Sequence, residues 1–97
     1  MLDRDQILSV LRDYKKRYGS RYGIIEIGVF GSYARGDADE ESDVDVFLKL
    51  ERPDLFLLSR IRLDLEELLG IPTDVIQVRR KMNRFLKKHI EEEAISA

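Results

Sequence analysis

The sequence predicts a small α/β fold: a mixed sheet of three strands, or slightly more, with helices packed mainly on one face. Three observations lead there. Apolar residues at helical spacing alternate with short β-branched segments along the whole chain. The second and third strand segments are joined through a helical pattern of about fifteen residues, a connection that suits a parallel pair. No Pro/Gly/Ser-rich linker, repeat or low-complexity stretch divides the 97 residues, so one domain over residues 1–97 with one modest core is expected.

Taken in order, residues 2–18 place Ile7, Leu11, Tyr14 and Tyr18 on one helical stripe, widened by Leu8 and Val10. Asp3 or Asp5 can cap its start, and Gly19 sits where a helix often ends. "GIIEIGVF" (residues 23–30) reads as a strand with Ile25, Ile27 and Val29 on one face. Gly31-Ser32 breaks it, and "SYARG" has room for a short helix before Gly36. After the polar loop "DADEES", "DVDVFLKL" alternates: Val44, Val46, Leu48 and Leu50 face one way, and Asp43, Asp45, Phe47 and Lys49 the other. Pro53 suits the first turn of the next helix, whose stripe is Leu57, Leu58, Ile61, Leu65, Leu68 and Leu69, ended by Gly70 and Pro72. "TDVIQV" is a third strand. From Arg80, the residues Met82, Phe85, Leu86, His89 and Ile90 mark a last helix.

Composition narrows the function classes. Seventeen basic against nineteen acidic residues give a net charge of -2, so no global basic field draws the chain to nucleic acid, and a direct stable nucleic-acid partner is not expected. The absence of cysteine excludes disulfides, zinc-thiolate sites and thiol nucleophiles. No segment approaches the ~20 apolar residues that span a bilayer, and "MLDRDQILSV" carries acids where a secretory signal would be basic. A cytoplasmic protein without a membrane partner is the expectation.

The chemistry concentrates in "FGSYARGDADEESDVDVFLKL". Two residues apart on a strand, Asp43 and Asp45 leave the same face, with Cα atoms roughly 6.5 Å apart. The opposite face is aliphatic, so both carboxylates point away from the core. Such neighbours repel and raise one another's pKa when unpaired. A hard divalent cation such as Mg²⁺ would relieve the repulsion. Taken alone, the pair is as readily a charged strand edge that keeps the sheet soluble. Gly31-Ser32 upstream shifts the balance, because a glycine turn followed by a serine that opens a helix presents N–H groups and a hydroxyl to phosphate. Asp74, at the start of the third strand, would add a third carboxylate if its strand lies beside the second. Three carboxylates around two ions suit in-line displacement at phosphorus.

Gly31-Ser32, ten intervening residues and Asp43-Val44-Asp45 resemble the signature of the DNA polymerase β-like nucleotidyltransferase superfamily. The wider wording is similar to the minimal nucleotidyltransferases of bacteria and archaea, the MNT or MntA-type proteins, over nearly the whole chain. The resemblance implies that Gly31 and Ser32 hold the terminal phosphates of ATP, that Asp43 and Asp45 bind Mg²⁺ (two ions in all), and that Asp74 is the third catalytic carboxylate and metal ligand. Arg35 falls on the motif arginine, to contact phosphate or brace the loop. With the chain ending at Ala97 and no acceptor-binding domain, the acceptor is expected on a separate molecule. The resemblance implies a HEPN-domain toxin, with this chain as an antitoxin that transfers AMP to its tyrosine. Two alternatives stay open: a non-catalytic nucleotide-binding antitoxin that acts by complex formation, and a catalytic subunit that modifies a small molecule or RNA held by a partner. Homo- and hetero-oligomeric assembly are both open.

Other features read as ordinary surface or core. Arg80, Arg84, Lys87 and Lys88 form a basic helical face balanced by Glu91, Glu92 and Glu93. His89, the single histidine, reads as a core-edge residue or a charge partner near a helix C-terminus.

Overall fold

The computed structural model describes residues 2–79 and 81–97. Helix α1 (Arg4–Tyr22) opens on a reciprocal cap: the Gln6 N–H donates to Asp3 at 2.8 Å and the Asp3 N–H donates to the Gln6 side chain at 2.9 Å. The helix does not stop at Gly19. It runs on to Tyr22, where Gly23 adopts φ 67° and donates its N–H to the Gly19 carbonyl. The i,i+4 ladder Tyr14, Tyr18 and Tyr22, with ring centroids 4.8 and 5.2 Å apart, supplies side-chain contact through the extra turn. Buried Gly19 is tolerated inside the helix.

Strand β1 (Ile24–Phe30) pairs antiparallel with β2 (Val44–Leu50), with a register shift between Ile24 and Glu26. That irregularity breaks the alternation the sequence predicts: Ile24, Ile27 and Val29 are buried, whereas Ile25 is exposed. Between the two strands lies α2 (Ser32–Arg35). Helix α3 (Leu55–Leu69) is capped by Asp54, whose side chain accepts from the Leu57 N–H at 3.0 Å, so Pro53 precedes the helix instead of entering its first turn. Ile61, Leu65 and Leu69 are buried on it, while Leu68 is exposed.

Strand β3 (Thr73–Gln77) lies parallel to β2, as the helical connection requires. Helix α4 (Arg84–Glu93) starts at an Asn83 cap that accepts from the Phe85 and Leu86 N–H groups. Arg80, expected to open this helix and its basic face, lies outside the described residues. A fourth strand, β4 (Ile95–Ser96), pairs antiparallel with β1 and completes the order β3-β2-β1-β4. Two residues carry no periodic signal, which is why the sequence shows three strands.

The larger core lies between one sheet face and α1 and α3, with Ile7, Leu11, Ile27, Val46, Leu48, Ile61 and Leu65 each at 0% exposure. Helix α4 crosses to the opposite face, where Ile90 joins Phe30 and Phe47 in a smaller cluster. Gly28 on β1 leaves room for this cluster: a Cβ there would collide with the Ile95 carbonyl and the Phe47 ring. Among the described residues no helix is long and apolar enough to cross a membrane.

Candidate active site

Three neighbouring strands place the site. β1 ends at Phe30, which is in register with Asp45 on β2, and Asp45 is in register with Asp74 on β3. The chain leaves β1 through Gly31 (φ 75°, ψ -150°), which opens α2. A Cβ on Gly31 would run into the Asp45 carboxylate, so this position excludes side chains by both backbone angle and space. The first turn of a helix leaves its N–H groups without intrahelical partners. Those of α2 and the Ser32 hydroxyl therefore stand next to the aspartates.

Gly31, Ser32, Arg35, Asp45 and Asp74 line one cleft of about 490 Å³, together with Arg62 from α3 and Leu86 and His89 from α4. Of the residues singled out in the sequence, Asp43 is the one that does not line it; Asp43 lies immediately before β2 and is exposed. Asp45 is partly buried, and its carboxyl is pushed above the usual range, first by burial and then by the charges of Asp74 and Asp43, with Arg35 opposing. A separate groove of about 550 Å³ between α1 and α3 has no glycine turn beside its acids, and there Asp64 already accepts from the Tyr14 hydroxyl at 2.7 Å.

Among the described residues no three His, Cys, Asp or Glu side chains are gathered closely enough to enclose a metal ion as they stand. The chemistry of the donor set nonetheless fits a hard divalent cation. Asp45 and Asp74 are oxygen donors on adjacent strands, and Asp43 adds to the local excess of negative charge.

Arg35 braces its surroundings. Its Nε donates to Asp37 at 3.1 Å and its Nη1 to both oxygens of Glu93 at 2.9 and 3.0 Å. Asp37, in the polar loop, is thus an anchor for the motif arginine. Asp39 also organises its loop, accepting from the Glu41 N–H at 2.9 Å and the Ser42 hydroxyl at 3.1 Å. Glu93 is the residue the sequence reading missed. It accepts from the Gly31 N–H at 3.2 Å and pairs with His89 Nε2 at 3.1 Å. Nothing in a run of three glutamates distinguishes the one that folds back on a turn 62 positions upstream.

The strand–glycine turn–helix unit and the carboxylates on two adjacent strands lie within residues 11–97, which match the nucleotidyltransferase domain family, to which this chain belongs. Among individual proteins, it is 44% identical over 77 residues to protein adenylyltransferase MntA of Thermococcus cleftensis, covering 78% of each chain. A solved structure described as a minimal nucleotidyltransferase superposes with a TM-score of 0.76 at 34% identity, over 97% of this chain and 95% of that one. A Shewanella oneidensis complex of a tri-AMPylated HEPN toxin with its MNT antitoxin shares the fold, with a TM-score of 0.62 at 18% identity over 96% of this chain and 66% of that one.

Proposed function

We propose that this nucleotidyltransferase is the antitoxin of a HEPN/MNT pair, working in the cytoplasm, and that it transfers AMP from ATP to a tyrosine of its toxin partner. The observation that carries the reading is the register Asp45↔Asp74, with both carboxylates lining the same cleft as the Gly31-Ser32 turn. The name of the Thermococcus relative supports protein adenylylation, and the AMPylated HEPN toxin of the Shewanella complex supports the acceptor class.

In this reading Gly31 and Ser32 hold the terminal phosphates through backbone N–H groups and the hydroxyl, and Arg35 braces the turn. Asp43, Asp45 and Asp74 would hold Mg²⁺, two ions in all. When bound, the ions supply charge neutralisation for the phosphates and the departing group. The tyrosine oxygen attacks the α-phosphorus, Asp74 takes the phenolic proton, and the bond to the β-phosphate oxygen breaks to release pyrophosphate. Partial burial of Asp45 beneath the turn keeps one carboxylate at a fixed distance from the phosphates.

Incubation of labelled ATP, Mg²⁺ and the toxin with the wild-type chain is expected to label a toxin tyrosine. Asp43→Ala and Asp45→Ala should each lower transfer by about 10²–10³-fold or more, the scale of losing a charge-stabilising group. If both variants suppress toxicity as well as wild type and no label moves, neutralisation is by complex formation and the enzymatic assignment is lost. Label found only on RNA or a small molecule would instead identify a catalytic subunit with a different acceptor.

A further inference from the structure

The catalytic scheme gives Glu93 no task, yet Glu93 is the most fully engaged carboxylate at the cleft. One oxygen accepts from the Gly31 N–H at 3.2 Å, both accept from Arg35 Nη1 at 2.9 and 3.0 Å, and His89 Nε2 lies 3.1 Å away. The Glu93 side chain is only 18% exposed. A backbone amide, a guanidinium and an imidazole converging on two anionic oxygens is the donor set that proteins offer to a phosphate. The helix dipole does not explain the placement. Glu93 is the last residue of α4, the end at which the helix dipole disfavours negative charge.

We propose that Glu93 is a built-in occupant of the phosphate subsite, which the triphosphate of the nucleotide must displace, so that nucleotide binding frees the end of α4. The proposal rests on the reading that Gly31 and Ser32 hold the terminal phosphates. Gly31 has one N–H to give, and a second anion cannot share it without close like-charge contact. Glu93 therefore competes with nucleotide. It keeps the glycine turn and Arg35 arranged while the site is empty and lowers apparent affinity by the free energy of that self-contact. The chain geometry carries the event outward. Ala94, the next residue, donates its N–H to the Ile90 carbonyl at 2.7 Å, and β4 follows at once, paired to the same β1 that delivers Gly31. Release of Glu93 loosens the junction between α4 and β4, where Ala94 packs against the cluster of Phe30, Phe47 and Ile90.

The test titrates a non-hydrolysable ATP analogue with Mg²⁺ into the full chain by calorimetry, for wild type, Glu93→Gln and Glu93→Ala, each first checked by thermal melting. Both variants are expected to bind about tenfold tighter than wild type, the scale of one charge-assisted contact removed from competition. Hydrogen exchange supplies a second readout: in wild type the amides of residues 93–96 should exchange faster when the analogue is added, and in Glu93→Gln they should already be fast without it. Equal or weaker binding by both folded variants, with wild type binding, overturns the proposal and leaves the transferase reading standing. Failure of all three proteins to bind overturns both. If Glu93→Gln does not fold, Glu93→Ala and the exchange response of wild type decide.

Discussion

Gly31 carries two constraints that are usually met by different residues. Its φ of 75° lies where side chains are strained, and the space a Cβ needs is filled by the Asp45 carboxylate. Gly31→Ala is therefore expected to cost about 1–3 kcal/mol in chemical denaturation and to abolish transfer, because relief of the clash moves either the turn or the aspartate. Asp45 has the opposite character, since it costs the fold stability when ionised. Burial, Asp74 and Asp43 raise its carboxyl above the unfolded value, so the folded state holds that proton more tightly than the unfolded chain does. The stability linked to protonation is thus fully present below the ordinary carboxylate pKa and is lost as pH rises through the raised one. Asp45→Asn, which cannot ionise, should melt about 2–4 °C above wild type at pH 7, a figure kept small because the group is partly solvated. The gap should close below about pH 4, and transfer should be absent throughout. At this scale the sequence was informative where residue types are rare in combination. That Gly31, Ser32, Asp45 and Asp74 meet in one cleft is legible from motif and strand position, whereas Asp43, expected beside Asp45, lies just outside it. Glu93 is not legible, because a single acid among acids has no local signature and its partners lie at the other end of the chain.

Elements were legible where their apolar periodicity is strong and less so where packing overrides local preference. Helix α1 passes its expected end because three tyrosines at i,i+4 spacing reward another turn, whereas a glycine penalises it only mildly. β1 exchanges Ile25 for Ile24 at its buried face because the register shift against β2 adds a residue to one side of the pair, an event that alternation alone cannot reveal. The placement of α4 departs furthest from the sequence expectation. Periodicity reveals its apolar residues but not that Ile90 covers Phe30 and Phe47 on the face away from α1 and α3. That small cluster makes α4 dependent on few contacts. Ile90→Ala is expected to destabilise the protein by about 2–4 kcal/mol in urea, with hydrogen-exchange protection falling in α4 and β4 before it falls in α1 and α3.

At the scale of the whole molecule, the central strand β2 belongs to both cores, giving Val46 and Leu48 to one face and Phe47 to the other. A strand fixed from both sides cannot tilt, and that rigidity holds Asp45 beneath the glycine turn. The sequence made the α/β class and the parallel β2–β3 pair readable, since a helix-length crossover leaves few other arrangements. It did not reveal the β4 edge or the folding back of the chain end onto the site. The parallel pairing has a consequence for how such a protein can change. Asp45 and Asp74 meet because Val44, Val46 and Leu48 are laddered to Thr73, Val75 and Gln77, and not because a set number of residues separates them. The crossover through α3 is in that sense a replaceable span. It can be lengthened, trimmed by a turn or grafted from another protein, and the two carboxylates will still meet, provided the buried face of the graft fits the sheet. The outer surface of α3 can therefore vary while the Asp45–Asp74 pair, written in the backbone hydrogen bonds of β2 and β3, stays in place.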